Sequence, residues 1–467
     1  MKKTILIISV MLSLQAAAQD REELRLDIDR CREMALSNNS SAVNSGLDLR
    51  AAEYQKQEAT AEYLPRINFM SIGFYSLNPM LKIGIKDILG NNDLSNNLQG
   101  LVDSYAAMYG IAPYYSALQN GYGASVSVMQ PLYAGGRIVT GNRLASLGIE
   151  AAQLQGKVQK RKTEEETDGL YWQVVTLEEK LKTVTEFKEM LDTLCKDAES
   201  AYRAGLMTEN DLLQARLKRN ELRTSEVKLR NGIRLSRMNL LNAIGQRYSV
   251  VRGSADSDRP YLDDFIIGES ESAPQSPDGL YVDEERIAAS MEEARLLAIN
   301  VEAKRLEKRM ELGNTLPQLA VGASYGYSRT IGDGRFNGVA FATLKIPISD
   351  WWKTSRKLNR LQVQVDKAQN EKEQLDKQVL LLVRKYWLDL NSAWDEYSLA
   401  LESVQMARTS LDNTRSHYDA GLVPMSELLK AQASLQQAED GAVDACTAYR
   451  KVLRIWQDIS YLCSSEN

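Results

Sequence analysis

The chain has 467 residues, of which 57 are basic and 62 acidic, so its formal net charge is -5. No basic excess is available to neutralise phosphates, which argues against a general nucleic-acid-binding protein. The single histidine, His417, leaves little room for histidine-based metal sites or a serine-histidine-aspartate triad. The four cysteines show no CxxC spacing, which excludes zinc ribbons and disulfide scaffolds. We therefore expect neither a cofactor nor a nucleic-acid partner.

Residues 1–19 have the three parts of a secretory signal peptide. Lys2 and Lys3 form a positively charged start, an apolar run extends from Thr4 to Leu14, and small alanines follow it. Beyond this segment there is no run of about 18 or more apolar residues, so a helical membrane span is not expected. We predict that the protein leaves the cytoplasm, and that any membrane insertion uses β-strands.

The first half begins with a helical stretch over Leu24–Tyr63, which ends at Leu64-Pro65 because proline does not continue a helix. Two strands are predicted next, over Ile67–Tyr75 and Tyr122–Val128, from the alternation of bulky apolar with small or polar residues. This alternation suits a strand between lipid and a wet lumen, although a half-exposed soluble sheet gives nearly the same pattern. Leu77–Asn120, between the strands, is predicted to be an extended outer loop.

A long helix is predicted over Ile138–Arg203, where apolar residues recur at steps of three and four. No proline interrupts this segment, which as one helix would measure roughly 100 Å at about 1.5 Å per residue. Gly205 ends the helix, and a second helix over Asn210–Ala243 returns antiparallel to it. Gln246–Glu285 is rich in Ser, Asp, Gly and Pro and is predicted to be a linker without periodicity.

The second half shows the same order of patterns. Its predicted elements are a helix over Asp283–Leu312, the Leu316-Pro317 motif, strands over Leu319–Tyr327 and Val339–Ile346 with a tight turn over Arg329–Asn337, a long helix over Lys353–Asp419, a turn at Gly421, and a return helix through Tyr461. The second half therefore contains a strand pair and a long helical hairpin of its own.

Two motifs recur at one offset of 216 residues, which indicates an internal duplication. Tyr202-Arg203-Ala204-Gly205-Leu206 resembles Tyr418-Asp419-Ala420-Gly421-Leu422, and Pro131 corresponds to Pro347. The two Leu-Pro motifs are instead 252 residues apart, which puts 36 additional residues in the first strand hairpin. The predicted organisation is a signal peptide (1–19), a first repeat (20–245), a linker or equatorial segment (246–285) and a second repeat (286–467).

The predicted fold is mainly α with a small transmembrane β part, built from a duplicated helix–strand–strand–helix-hairpin unit. Four strands cannot close a barrel, because about eight is the smallest closed number with a filled interior. Strand edges inside a membrane have to be paired, so several chains must contribute strands to one barrel. Three chains would give a twelve-stranded β-barrel continued by a tube of long helices.

This organisation resembles the TolC family of outer-membrane efflux channels over nearly the whole chain after the signal peptide. The motifs that carry the resemblance are the two Leu-Pro strand starts, the run Gln130–Arg137 at the first strand-to-helix junction, and the turns around Gly205 and Gly421. The resemblance implies a homotrimer with a 12-stranded β-barrel among outer-membrane lipid and a long α-helical barrel in the periplasm of a Gram-negative bacterium. It also implies a passive exit duct of a tripartite efflux or type I secretion system, gated at its periplasmic tip. Such a duct works with a periplasmic adaptor (membrane fusion) protein and an inner-membrane pump of the RND or ABC type.

The resemblance further implies that the two turns are the periplasmic tips, which contact the adaptor. The tip residues are Ala204, Gly205 and Leu206 in the first half and Ala420, Gly421 and Leu422 in the second. Each glycine is expected to end its helix with a positive φ, and the leucine after it to lie exposed as an apolar docking residue.

Residues just past each tip correspond to the closed periplasmic gate of that family. Here they are Asp211 and Glu427, six residues after each glycine, with Tyr418 expected to hydrogen-bond Asp211 across the hairpins. Val423 stands where well-known members carry an arginine, so the charged link of the gate is incomplete. Lys430 stands where those members carry a second acid. The alternative is that Asp211 and Glu427 only stabilise the first turns of their helices through the helix dipole.

Other classes of protein fit the sequence less well. A secreted or periplasmic structural coiled coil, such as an adhesin stalk, would also carry a signal peptide and heptads, but it would not need duplicated strand pairs between the helices. A periplasmic adaptor has only one long hairpin. An enzyme is disfavoured, because the paired carboxylates Asp263-Asp264 and the run Glu164–Glu166 have no histidine or glycine-rich loop beside them, and such charge runs are usually solvated helix faces.

Overall fold

The computed structural model describes residues 24–117, 120–250, 260–267, 274–329, 333–348 and 350–464, so the predicted signal peptide lies outside the described residues. The elements in chain order are β1 (Leu24–Leu26), α1 (Ile28–Asn38), α2 (Ser40–Ala61), β2 (Arg66–Tyr75), β3 (Leu81–Ile83), α3 (Ile85–Leu89), α4 (Asp93–Tyr109), β4 (Tyr115–Ala117), β5 (Asn120–Ala134), α5 (Arg137–Arg203), α6 (Glu209–Ala243), β6 (Phe265–Ile267), α7 (Glu284–Ser290), α8 (Glu292–Gly313), β7 (Gln318–Arg329), β8 (Arg335–Lys345), α9 (Asp350–Asp419) and α10 (Met425–Ser464). The chain is mainly helical, as predicted. Within the described ranges, none of the helices combines the length and the apolar character that a membrane span requires.

The chain divides into two compact units. The first unit comprises the described residues within Met1–Ala51, Glu150–Ile299 and Gln369–Asn467, and the second those within Ala52–Ile149 and Asn300–Ala368. Each unit takes segments from both predicted repeats. The boundaries of the repeats are not tested by this division and stay a prediction.

The second unit contains a four-stranded antiparallel sheet in the order β2-β5-β7-β8. Its strands have 10, 15, 12 and 11 residues, and a strand needs about 9–11 residues to cross a bilayer. All four predicted strands are confirmed, and β5 and β8 begin earlier than predicted. The pairing of β5 with β7 joins the two halves of the chain, and β2 and β8 are the two edges of the sheet.

Side chains alternate between the two faces of this sheet. Phe69, Val126 and Tyr325 are cross-strand neighbours on one face, here termed the apolar face. The opposite face, here termed the polar face, carries small and polar side chains along β5 and β7, which are Gly123, Ser125, Ser127, Ser324, Gly326 and Ser328. Along the central strands β5 and β7, the sheet therefore has one face that suits lipid and one that suits water, as the alternation predicts. The edge strands β2 and β8 depart from this pattern, because they put large apolar side chains on the polar face, which are Met70, Ile72, Phe74, Val339 and Phe341.

Aromatic rings gather on the apolar face near the β7–β8 turn. The ring centroids of Tyr122 and Tyr327 lie 6.0 Å apart, and the ring of Phe336 lies 5.2 Å from Tyr327. Such rings are enriched where a bilayer meets water. The β7–β8 turn is shorter than the predicted Arg329–Asn337, because β7 reaches Arg329 and β8 begins at Arg335; residues 330–332 lie outside the described ranges.

The additional residues of the first hairpin form structure of their own. β3 pairs antiparallel with β4, and α3 and α4 lie between them in the chain. The side chain of Asn92 caps α4 by accepting a hydrogen bond from the Ser95 N–H at 2.8 Å. The predicted long insertion is confirmed, and it contains helices and a strand pair, because this cap and the helical run that follows it favour an α-helix.

Four long helices make up much of the chain, and most of their length belongs to the first unit. α5, α6, α9 and α10 have 67, 35, 70 and 40 residues. The predicted helices over Ile138–Arg203, Asn210–Ala243 and Lys353–Asp419 are confirmed. Their observed ends differ from the predicted ends by less than one helical turn. A 70-residue helix measures roughly 105 Å at about 1.5 Å per residue.

The predicted helix over Leu24–Tyr63 is present as α1 and α2, but its first residues form β1, and the predicted linker contains β6. β1 pairs in parallel with β6, and Leu262 and Phe265 are fully buried beside it. They pack in one cluster with Cys31, Tyr171 and Leu240. The predicted absence of periodic structure over Gln246–Glu285 is therefore wrong for residues 262–267, and residues 251–259 and 268–273 lie outside the described ranges.

A buried ionic cluster ties α1 to α5 and α10 within the first unit. The Arg32 Nε donates to Asp168 Oδ1 at 2.7 Å, and an Arg32 guanidinium N–H donates to Asp458 Oδ2 at 3.0 Å. A further guanidinium N–H bonds the second oxygen of Asp168, so this pair is bidentate. The helices are thus held together by charge as well as by apolar packing.

The acidic run on α5 faces this cluster. Burial raises the pKa of Glu164 and of Glu165, and the carboxylates of Asp168 and Asp458 add to the effect. Only Glu166 of the run is exposed. The expectation of a solvated face therefore holds for Glu166 but not for Glu164 and Glu165, because local spacing does not reveal which residues pack against α5.

Candidate functional site

The first hairpin tip joins α5 to α6 through Ala204-Gly205-Leu206. Gly205 has a φ of 73°, a left-handed conformation that glycine adopts without steric cost. The Leu206 N–H donates to the Ala201 carbonyl at 2.9 Å and the Gly205 N–H donates to the Tyr202 carbonyl at 3.0 Å. These two bonds form a Schellman motif, which satisfies the last carbonyls of α5.

The second tip, which joins α9 to α10, repeats this geometry. Gly421 has a φ of 72°. The Leu422 N–H donates to the His417 carbonyl at 2.8 Å, and the Gly421 N–H donates to the Tyr418 carbonyl at 2.9 Å. The matching motifs predicted from the sequence therefore have matching conformations.

Both tips present an apolar side chain to solvent. Leu206 is 83% exposed and Leu422 is 73% exposed, and the alanine and glycine before each leucine are exposed as well. A leucine held by a Schellman turn has little backbone freedom left to lose on binding. The tips are consequently rigid apolar surfaces.

The helices beneath the tips pack into one core. It draws on both hairpins, with Leu191, Cys195 and Leu212 from the first, and Met425 and Leu428 from the second, all buried. This core holds the ends of the two hairpins together within the first unit. Close packing of this kind positions the tip residues relative to each other.

Asp211 lies in the first turn of α6, where it takes part in the N-terminal cap of the helix. The Thr208 side chain accepts a hydrogen bond from the Asp211 N–H at 3.2 Å, and its hydroxyl donates to the Asp211 carboxylate at 2.6 Å. The ring of Tyr418 packs half-buried against the core beneath the tips. Burial raises the pKa of Tyr418, and the charge of Asp211 on the other hairpin adds to the shift. The predicted hydrogen bond between Tyr418 and Asp211 stays a prediction.

Glu427 and Lys430 lie exposed, one turn apart on α10. The buried residues of the same turns, Met425, Leu428 and Leu429, point into the core beneath the tips. Glu427 and Lys430 therefore occupy the face of α10 that points away from this core. Their assignment to a gate stays a prediction.

Sequence reasoning missed the cap residues of the tips. Thr208 is followed three residues later by Asp211. A threonine with an acidic residue at this spacing is a signal for the start of a helix, and the sequence alone contains it. The second hairpin has Pro424 at the position of Thr208, and there the Glu427 N–H donates to the Pro424 carbonyl at 3.1 Å. The first tip therefore has a side-chain cap that the second tip lacks.

Comparison with known proteins identifies the class. A family model described as outer membrane efflux protein matches residues 31–246 and 291–453. The fold is similar to the crystal structure of the outer membrane protein VceC from Vibrio cholerae, with 13% identity, a TM-score of 0.70, and coverage of 92% of this chain and 95% of VceC. No curated protein sequence matches the chain significantly.

Two further channels have similar folds. The CmeC outer membrane channel of Campylobacter jejuni shares 13% identity with a TM-score of 0.71, over 91% of this chain and 84% of CmeC. The outer-membrane channel OprN shares 16% identity with a TM-score of 0.69, over 92% of this chain and 89% of OprN. These similarities concern the fold.

The family match covers well over half of the chain, so the chain belongs to the outer membrane efflux protein family. It is an outer-membrane channel component of a tripartite efflux system and not an enzyme. Its family places it in the outer membrane. Channels of this family work with an adaptor and an inner-membrane pump. The predicted resemblance is confirmed, and the structural coiled-coil alternative gains no support.

Proposed function

We propose that three copies of this chain form one passive exit duct, which is gated at its periplasmic tips and docked there by an adaptor. The observation that carries this proposal is the four-stranded sheet, which has two free edges and an apolar and a polar face along its central strands. Along both β2 and β8 nearly every residue is exposed in the single chain. A membrane strand with unpaired backbone groups is unstable, so these edges need partners.

The strand directions allow the edges to pair with each other. Neighbouring strands in the order β2-β5-β7-β8 are antiparallel, so β8 runs opposite to β2. A ring in which β8 of one copy meets β2 of the next therefore stays antiparallel at every seam. Three copies of the four-stranded sheet give a closed ring of twelve strands, with the apolar face outward and the polar face around the lumen.

Engineered disulfides test whether β8 of one copy pairs with β2 of the next. We expect Ser71→Cys on β2, combined in turn with Gly338→Cys, Ala340→Cys or Ala342→Cys on β8, to give covalent dimers and trimers for at least one pair. All four positions lie on the apolar face. Within one chain β2 and β8 are separated by three strand spacings of about 4.8 Å each, too far for a disulfide, so any bond must join two copies.

A matched control uses the other face of the same strand. Ser71→Cys with Thr343→Cys puts the two thiols on opposite faces of the sheet, so no covalent dimer is expected. Mass photometry of the detergent-extracted wild-type protein should show mainly trimers. Mainly monomers, together with no covalent dimer from any apolar-face pair, would contradict the proposal.

We also propose that Asp211, Tyr418, Glu427 and Lys430 form the gate, and that three-fold symmetry turns each into a ring. The rings of Glu427 and Lys430 would then lie one helical turn apart with opposite charges. An exposed pair at this spacing is worth about 0.3–0.5 kcal/mol. The two rings partly cancel, so cation selectivity is weaker than two acidic rings would give.

Planar-bilayer recordings in a salt gradient test this assignment. Lys430→Asp is expected to shift the reversal potential towards cation selectivity, because two acidic rings then stand together. Glu427→Lys is expected to shift it towards anions. Both side chains are exposed, so neither change should disturb the fold. An unchanged reversal potential in both variants would exclude these residues from the constriction.

A duplication with repeats over 20–245 and 286–467, joined by 246–285, accounts for the paired tips and strand hairpins. The adaptor would contact Leu206 and Leu422, and the pump would be of the RND or ABC type. An adaptor and a pump encoded beside this chain, or their absence, tests the partner assignment directly.

A further inference from the structure

A cavity of about 540 Å³ lies in the second unit, at the end of the sheet opposite the aromatic rings. Three cationic side chains line it: Arg66 from β2, Arg137 from the start of α5, and Lys345 from the end of β8. One carboxylate, Glu62, lines it as well. The cavity therefore carries two more positive than negative charges per chain.

Of the three cationic side chains in this cavity, one forms an ion pair and two do not. Arg66 forms an ion pair with Glu62, four residues before it. Arg137 and Lys345 make no ion pair in the part of the chain that the structure describes, and both are exposed to solvent. An unpaired cation in a concave site attracts an anion from solution, because low-dielectric walls focus its field.

The rest of the lining is largely apolar. Met129, Ile138 and Met310 contribute hydrophobic surface, and Tyr133 adds an aromatic ring. A small hydrated anion would gain nothing from these side chains. An organic anion with an apolar body would gain from both parts of the lining, since apolar contact contributes about 25 cal/mol per Å² of buried surface.

We propose that this cavity is a binding site for amphipathic organic anions, through which such substrates pass along the duct. The inference rests on the proposed function, because Arg66 and Lys345 lie on the polar face of the sheet, which faces the lumen in the proposed trimer. Three-fold symmetry then gives three such cavities in a cationic ring where the sheet ends. The ring favours substrates that carry a carboxylate, sulfonate or phosphate.

Two aromatic probes of similar shape and opposite charge test the proposal. Single-channel currents are recorded in planar bilayers at about 0.1 M salt, where charges are screened beyond about 10 Å. 1-Naphthalenesulfonate is expected to block the wild-type current at lower concentration than 1-naphthylmethylammonium. In the Arg137→Gln/Lys345→Gln variant, block by the sulfonate should weaken by about tenfold or more, because charge-assisted hydrogen bonds to the anion are lost. Block by the ammonium probe should not weaken.

The control is Arg335→Gln, which removes one positive charge from the same strand and the same face but at the opposite end of β8. Sulfonate block should be nearly unchanged in this variant. Equal block by both probes, or equal weakening in Arg335→Gln and in the double variant, would overturn the anion site while leaving an open trimeric channel intact. If the wild-type trimer carries no current, the duct itself fails and the anion site with it.

Discussion

Replacing Arg32 with methionine is expected to accelerate hydrogen exchange of the α1 amides by about a hundredfold or more. Both partners of the bidentate pair are buried, with 11% of the Arg32 side chain and 8% of the Asp168 side chain exposed. Removing one member of a buried pair leaves an uncompensated charge and costs about 3–5 kcal/mol. Each tenfold change in an equilibrium corresponds to about 1.4 kcal/mol, and local opening of α1 reports the loss directly.

The effect should depend on pH. Burial raises the pKa of Asp168, even with Arg32 beside it, and loss of Arg32 removes the side chain that opposes this shift. A carboxyl group whose pKa is higher in the folded than in the unfolded state lowers the stability of the fold at pH values above its folded pKa. This cost disappears as the pH falls towards the unfolded pKa of about 3.9. The Arg32→Met penalty should therefore be larger at pH 8 than at pH 5, after correction for intrinsic exchange rates.

Arg30 on the same helix provides the matched control. It pairs with Glu33 at 2.6 Å, but both side chains are more than half exposed. Exposed pairs are worth about 0.2–1 kcal/mol at most, so Arg30→Met should leave α1 protection within a few-fold of wild type. Adding Asp168→Asn to Arg32→Met should restore part of the protection. Equal exchange in the Arg30 and Arg32 variants would contradict a role for the buried cluster in holding α1.

Local periodicity predicts most of the regular elements of this chain. Alternation in β7 and steps of three and four in α5 each depend on neighbours within a few residues, so the sequence carries them directly. The conformation of the tip glycines can also be predicted locally, because a Schellman turn is specified by residues next to each other in the chain. These are also the features that carry the resemblance to efflux channels.

Contacts between distant residues are the part that the sequence does not reveal. β1 pairs with β6 across about 240 residues of chain, and the segment around β6 has the composition of a linker. Arg32 meets Asp458 at a separation of 426 residues. Neither contact leaves a local pattern. The proposed gate is a further case, because rings of Glu427 and Lys430 would require other copies of the chain.

The largest functional effect is expected at the two tips. Replacing both Leu206 and Leu422 with aspartate should reduce recovery of the adaptor with the affinity-tagged channel from cell envelopes by about tenfold or more. We expect the two leucines to act as hot spots, the few central interface residues that cost about 2 kcal/mol or more when lost. A carboxylate buried in the interface adds a desolvation cost. Both leucines follow glycines whose conformation fixes the turn, so the substitutions change the docking side chain and leave the backbone as it is.

Conservative and single variants give this prediction its controls. Leu206→Met with Leu422→Met keeps an apolar side chain at each tip and should retain adaptor recovery. Leu206→Asp and Leu422→Asp made separately should each cause a smaller loss, because the repeated motifs give both tips the same Schellman geometry. All variants should remain trimeric and conduct in bilayers, since neither leucine belongs to the core beneath the tips. Full adaptor recovery in the double aspartate variant would move the docking surface away from the tips, and a loss in the methionine variant would show that shape at the tip, beyond apolar character, decides docking.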